Sequence, residues 1–401
     1  MLTRRGWVVL IGSLSLVVTG RLIGLLELYV LAAGGLALVG LAVLLVRLPK
    51  IALSTERVLH PTKVHAGTDS RVELVVQNRS GRRLPVLTVR DPFDRGRRQA
   101  RFLLASLADH EVARAAYRLP TQQRGVFQVG PLEATNTDSF GLAAMSRPVA
   151  ASTELTVYPR VDTIAALPQT RGHDPLAGAD HPTALGVSGE DFYGLRAYEM
   201  GDDLRRVHWP STARLDDLMI RQHEMPWQGR ATVLLDVRAA VHTAESLELA
   251  VSAAASIVVA CFGRGSLIRL VSTDGVDSGF SAGSDHVEAI MERLAFVGPA
   301  RHDRLASVLA ALRRAGNAGA LAAIVTSEVA GSDLDLLSRL QTRFGSVTLV
   351  RFDRSAYHEA SPVRADRPLP AFGAVVQATA DEPFASAWNR AFGPSPVGVA
   401  P

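Results

Sequence analysis

The chain begins with two long apolar runs, residues 7–26 and 28–46, separated by almost nothing polar. A membrane-crossing helix needs about 20 such residues. Trp7 to Gly20 is too short alone, so the first span continues through Arg21 to about Leu26. Arg21 then falls near the far end, where its aliphatic stem can carry the charge to the interface. The second run, Leu28 to Val46, holds no charge, and only about Glu27 remains for the turn. The pattern predicts a transmembrane two-helix hairpin. Arg4 and Arg5 precede it, Arg47 and Lys50 follow it, and the turn offers only Arg21 against Glu27. By the positive-inside rule both ends, and all that follows, belong on the cytoplasmic side of the cell membrane. A secretory signal peptide with Arg4-Arg5 as its basic start is the competing reading. No small-x-small cleavage site follows near residue 20, and the second run would still anchor the chain.

Beyond the hairpin the period changes twice. Residues 51–160 carry β-rich runs such as Val72–Val76 and Leu84–Val89, with a turn signal at Asn78-Arg-Ser-Gly81 and frequent Pro and Gly, but no sustained helical period. They predict a β-sandwich. Residues 161–188 read as a linker, because Gly172, Pro175, Gly178, Pro182 and Gly186 interrupt any element. Its His173-Asp174 and Asp180-His181 pairs are metal-ligand types, but a loose loop makes a poor preorganised site. From residue 230 strands alternate with helices. Ala231–Val237, Leu267–Ser272, Leu321–Thr326, Val347–Phe352 and Gly373–Ala378 are the strands. Thr243 should cap the first helix, whose Leu247, Val251, Ala254 and Val258 form one stripe. Further helices are expected at 285–296 behind Ser284, at 303–314, and at 333–343 behind a Ser332/Asp335 capping box. The alternation predicts a doubly wound α/β domain with a parallel sheet, ending in a loose proline-containing tail after about residue 380.

Composition narrows the function classes. Of 401 residues, with net charge +4, lysine occurs only at Lys50 and Lys63. The densest basic patch, Arg95, Arg97, Arg98 and Arg101, reads as a solvated loop, and no stretch interleaves arginine with aromatics as a nucleic-acid groove would. The one cysteine, Cys261, sits in an apolar helical run, which excludes an internal disulfide and a CxxC metal site. There is no GxxxxGK[ST] phosphate loop or HExxH motif, and no cofactor is expected.

The segment 188–224 is the most informative. It mixes charges and aromatics without a clear period. Arg196, Arg205, Arg214 and Arg221 can pair with Glu190, Asp202, Asp203 and Glu224, since the arginine fork bonds carboxylates bidentately. Three readings compete: a structural network docking the segment on the sheet domain, a partner-binding surface anchored by Tyr198 and Trp209, or a catalytic centre of Asp202, Asp203 and His208.

The motifs Gly189-Glu190, Leu195-Arg196-x-Tyr198, Gly201-Asp202-Asp203, Arg205, His208-Trp209 and Ser211-Thr-Ala213-Arg214 resemble the domain-of-unknown-function family 58. Upstream, Arg124-Gly125, Gly130-Pro131, Asp138-Ser-Phe-Gly-Leu142 and Val157-Tyr-Pro-Arg160 extend the resemblance. It implies a membrane anchor, an immunoglobulin-like β domain, a von Willebrand factor A-like domain, and co-operation with a MoxR-type AAA+ ATPase. An adhesion-type metal site in that domain needs Asp-x-Ser-x-Ser, because hydroxyls and a carboxylate share the ion's oxygen shell. This chain has Asp236-Val-Arg238-Ala-Ala240, so both serines are missing and Arg238 brings a positive charge. The expectation is therefore a membrane-tethered, non-enzymatic scaffold or adaptor that works with the ATPase in assembling or remodelling membrane or cell-envelope complexes. A hydrolase or metal-dependent enzyme centred on Asp202, Asp203 and His208 is the alternative, and an extracellular adhesion protein a third.

Overall fold

The computed structural model describes residues 2–49, 51–94, 96–168, 192–198, 207–215, 217–223, 229–314, 319–358 and 369–393. The chain divides into two units, residues 1–160 and 161–401.

The first unit opens with α1 (Arg4–Ile23) and α2 (Leu26–Arg47). The turn falls two residues before Glu27, at Gly24 and Leu25, because Gly24 (φ 81°) takes the left-handed conformation that ends α1. Glu27 instead lies in the first turn of α2, where its charge complements the helix dipole. The helices meet through small residues: a Cβ on Gly35 would come within 2.1 Å of Ser13 Oγ. Close approach of this kind is how helices associate where apolar burial gives no drive. Val8, Ile11, Leu22, Leu26 and Val30 remain exposed. Two helices of this length and apolarity are those of a membrane-anchored protein.

Ten strands follow: β1 (Leu53–His60), β2 (Lys63–His65), β3 (Asp69–Asn78), β4 (Leu87–Phe93), β5 (Arg98–Leu104), β6 (Val112–Pro120), β7 (Gly125–Val129), β8 (Leu132–Thr137), β9 (Ala144–Ala150) and β10 (Thr153–Tyr158). They form sheets β1-β3-β6, β5-β4-β8-β9 and β2-β10-β7 around one core. Alternate residues point inward, as Val72, Leu74 and Val76 do on β3. Leu84, expected in a strand, precedes β4 yet is buried. Arg98 and Arg101 lie on β5 rather than in a loop.

One buried ion pair ties the sandwich together. Arg57 on β1 donates to Asp91 on β4 (2.7 Å) and to the carbonyl of Val129 on β7 (2.9 Å). The Tyr117 hydroxyl on β6 donates to the other Asp91 oxygen (2.6 Å). Burial raises the Asp91 pKa against the pull of Tyr117 and Arg57, and burial together with the Asp91 bond raises that of Tyr117.

In the second unit β11 (Phe192–Ala197), α3 (Trp209–Leu215) and β12 (Met219–His223) precede the main sheet. Then come β13 (Arg230–Leu235), α4 (Ala244–Gly263), β14 (Leu267–Ser272), α5 (Ser284–Phe296), α6 (Leu305–Arg314), β15 (Ala320–Thr326), α7 (Gly331–Ser338), β16 (Ser346–Phe352), β17 (Ala374–Ala378) and α8 (Phe384–Phe392). The sheet order is β14-β13-β15-β16-β17, and every pair is parallel. Leu321, Ala323 and Val325 of β15 face α6 and α7. By strand alternation the intervening residues face the other layer, where α4 packs on β13, β14 and β15. α4 is long and apolar enough to span a membrane, but the sheet buries it: Leu247, Val251, Ala254 and Val258 are all inaccessible. Thr243 caps α4 by a reciprocal box with Ser246. Cys261 is buried in α4, which pushes its thiol up to about 11 and away from reactivity.

Several local expectations are corrected. Ser284 is the first residue of α5 rather than its cap, since Gly283 holds that position. α7 starts behind Ala330, which has no polar side-chain atom to cap it, so Ser332 falls inside the helix rather than at a Ser332/Asp335 box, and the helix passes into a short 3-10 turn at Arg339–Thr342. Residues 161–168, expected within the linker, are fixed on this unit: Asp162 N–H donates to Ser256 Oγ (2.9 Å), and the Ala165 carbonyl accepts from Trp388 Nε1 (2.7 Å). The tail is not loose after 380, because α8 buries Phe384 against Phe352 and Trp388 against Phe384. The His173–His181 run lies outside the described residues.

Candidate functional site

The segment expected to carry function folds as an antiparallel pair, β11 with β12, joined through α3. Arg196 is opposite Ile220 in the register. Tyr198 N–H donates to the Leu218 carbonyl (2.7 Å), and His208 N–H to the Met219 carbonyl (2.7 Å). The strands are hard to read in the sequence because each is only five or six residues long and neither alternates apolar with polar positions. His208 starts α3. Its carbonyl accepts from the Ser211 and Thr212 N–H groups, and its ring Nδ1 lies 2.8 Å from Ser211 Oγ. The Thr212 hydroxyl accepts from Met219 N–H (3.0 Å), locking the helix to β12. The His208 ring nitrogen is thus used locally to fix the first turn.

α3 buries none of its residues, and Trp209 is 67% exposed at its start. Leu215 and Leu218 are exposed nearby in sequence, and Arg214 lies in the last turn, also exposed. Glu190, Asp202, Asp203 and Arg205 lie outside the described residues.

A second cluster forms where β13 ends. Chain connections leave β13 for β14 on one side and return to β15 on the other, and open parallel sheets take ligands outside the carboxyl ends of strands at such a switch point. Here Asp236 is buried, and its Oδ1 accepts from Thr273 Oγ1 (3.0 Å) and from the Arg238 N–H (3.1 Å). Arg238 Nε and Nη2 bond the same carboxylate at 3.0 and 2.9 Å. Its Nη1 reaches Asp303, before α6, at 3.0 Å, and Asp333, on α7, at 2.9 Å. Burial works against the Arg238 charge, but the three carboxylates outweigh it and raise the pKa. Burial lowers that of neighbouring His242, against the attraction of Asp236. A guanidinium therefore lies among three carboxylates beyond the carboxyl end of β13. Asp303 and Asp333 were not singled out from the sequence; the one available signal is that each sits just before or within the first turn of a helix facing the strand ends.

Residues 194–356 match the family described as Protein of unknown function DUF58, and that segment belongs to it. The match runs from β11 through β16. No curated protein matches the sequence. Among solved structures, the CARDB domain of the PF1109 protein from Pyrococcus furiosus is similar at 18% identity over 27% of this chain and 93% of that one, with a TM-score of 0.22. A solution structure of the same domain aligns at 20% identity over 26% of this chain and 93% of that one, TM-score 0.21. The β-glucosidase EmGH1 from Erythrobacter marinus aligns at 14% identity over 27% of this chain and 15% of that one, TM-score 0.19.

Proposed function

We propose that this chain is a membrane-anchored scaffold or adaptor whose DUF58 segment docks a MoxR-type AAA+ ATPase during assembly or remodelling of membrane or cell-envelope complexes. The observation that carries the reading is Trp209: a large aromatic, exposed, at the start of a helix that buries nothing, yet held by the His208–Met219 and Thr212–Met219 bonds. Buried aromatic anchors dominate protein interfaces, and a pre-fixed one loses little entropy on docking. ATP handling falls to the partner, since this chain has no phosphate loop. The basic flanks Arg4, Arg5 and Arg47 support a cytoplasmic position for both soluble units. The parallel sheet with Asp236 at the end of its first strand supports a von Willebrand factor A-like reading of the second unit, with Arg238 in place of the ion.

The test is recovery of the tagged full-length protein from its own solubilised membranes, with and without ATP, followed by mass spectrometry. A MoxR-type ATPase enriched in a nucleotide-dependent way supports the proposal. Clean recovery of the bait without it contradicts the proposal. A C-terminal reporter fusion that is active only outside the cytoplasm contradicts the sidedness.

A further inference from the structure

The turn between β8 and β9, residues 138–143, is built to a degree that strand connection alone does not require. The buried Asp138 carboxylate accepts from Phe140 N–H (2.9 Å) and Ala143 N–H (2.5 Å), and its carbonyl accepts from Gly141 N–H (3.0 Å). Gly141 takes a positive φ of 69°, which completes the tight loop. What this scaffold presents is Phe140, 60% exposed.

The same turn is joined to the membrane helices. The Thr3 hydroxyl donates to the Gly141 carbonyl (2.6 Å), and Thr3 N–H to the Leu142 carbonyl (2.9 Å). Thr3 also caps α1 by accepting from Gly6 N–H (3.1 Å). A Cβ on Gly6 would come within 2.1 Å of the Leu142 carbonyl oxygen, so the turn lies directly on the first turn of α1. Leu142 and Ala143 pack in one cluster with Val39, Ala42 and Val46 of α2, with Val9 of α1 against it. On α2 this cluster extends from Val46 back to Val39, about 10 Å along the axis.

Helix length then fixes the depth. α1 has 20 residues and α2 has 22, so they are about 30 and 33 Å long. The hydrocarbon layer is about 30 Å thick, so neither helix has two turns to spare outside it. Val9 and Val39 therefore lie at or inside its boundary, and the turn, bonded to Thr3 and packed on Gly6 within two helical turns of Val9, lies at that boundary. Arg4, Arg5 and exposed Trp7 mark that level on α1, as an interfacial belt does.

We infer that the residue 138–143 turn is a membrane-seating element, with Phe140 inserted at the boundary between lipid headgroups and acyl chains. The occupant of this exposed aromatic is the bilayer itself. The sandwich is then held at one orientation on the membrane by its own turn and does not swing on residues 48–52.

The experiment places a nitroxide at position 140 through Phe140→Cys in the full-length protein, with buried Cys261 replaced by Ala, reconstituted in vesicles of phosphatidylcholine and phosphatidylglycerol. Ser139→Cys provides a second position in the same turn should the first label perturb it. Gln123→Cys is the aqueous reference, because β3 and β6 run from the helix-proximal end at Asn78 and Val112 to the far end at Asp69 and Pro120. Oxygen, which enters the bilayer, should relax the label at 140 several-fold more strongly relative to a water-soluble nickel chelate than it relaxes the label at 123. Equal oxygen-to-chelate ratios at 139, 140 and 123 would overturn the inference.

Discussion

Arg238 lays its guanidinium against both oxygens of the Asp236 carboxylate, two residues away on the same chain, at 2.9 to 3.2 Å. The pair is buried, and it makes the switch point of the parallel sheet self-neutralising. Removing one partner of a buried pair leaves a desolvated charge and costs about 3–5 kcal/mol. Arg238→Ala should therefore lower stability by about that amount in denaturant unfolding. The wild-type protein should give no saturable heat on Mg²⁺ titration, whereas Arg238→Ala, with the carboxylates of Asp236, Asp303 and Asp333 no longer bridged, should regain thermal stability when Mg²⁺ is added.

In the sandwich, Arg57 and Asp91 stand in the same relation across two sheets. Asp91→Ala should cost about 3–5 kcal/mol, for the same reason. Tyr117→Phe removes only a hydrogen bond to a charged group and should cost about 1.5–3 kcal/mol. Thermal unfolding of the full-length protein in detergent would order the two.

Acid stability should follow the depressed carboxylates, those of Asp274, Asp277 and Asp303. Asp277 is held below the ordinary range by its bonds from Arg269, and Asp303 by the Leu305 N–H and then by Arg238. A carboxylate with a depressed folded pKa contributes stability that is present above its unfolded value, about 3.9, and is lost as pH falls through the folded value. Asp91, with a raised pKa, acts in the opposite sense, so the comparison is between variant and wild type. Asp277→Asn should reduce the drop in melting temperature between about pH 5 and pH 2. An unchanged acid slope would remove Asp277 from the account.

The two described tryptophans of the second unit should separate cleanly. Trp388 is fully buried in α8, so Trp388→Ala should cost about 3–5 kcal/mol. Trp209 is exposed, so Trp209→Ala should stay within about 0.5 kcal/mol of wild type. Chemical denaturation of both variants checks this.

That contrast also shows what the sequence made legible. The two apolar runs, the strand-helix alternation after residue 230 and the Thr243 cap all rest on local periodicity, and each has its counterpart in α1, α2, the parallel sheet and α4. α8 was hidden because its apolar face, Phe384, Ala387 and Trp388, fits into nine residues beside prolines, and a helix that short is stabilised by packing on Phe352 rather than by its own pattern. The β11–β12 pair is hidden by its short strands, which lack an apolar/polar alternation. Asp303 and Asp333 meet Arg238 across 65 and 95 positions, a closure that only the sheet topology creates. Of the expected site residues, Tyr198 is half-buried and Arg214 exposed, while Trp209 and His208 serve different ends: one is presented, the other holds the turn that presents it.

The most direct test of the adaptor account is binding between the purified full-length protein and a purified MoxR-type ATPase in the presence of ATP, compared with the Trp209→Ala variant at equal foldedness. The account predicts saturable, nucleotide-dependent binding to the wild type and a loss of tenfold or more in affinity for the variant, about 1.4 kcal/mol or greater at a central aromatic anchor. Equal binding by both proteins would contradict Trp209 as the anchor, and no binding by the wild type would contradict the adaptor function itself.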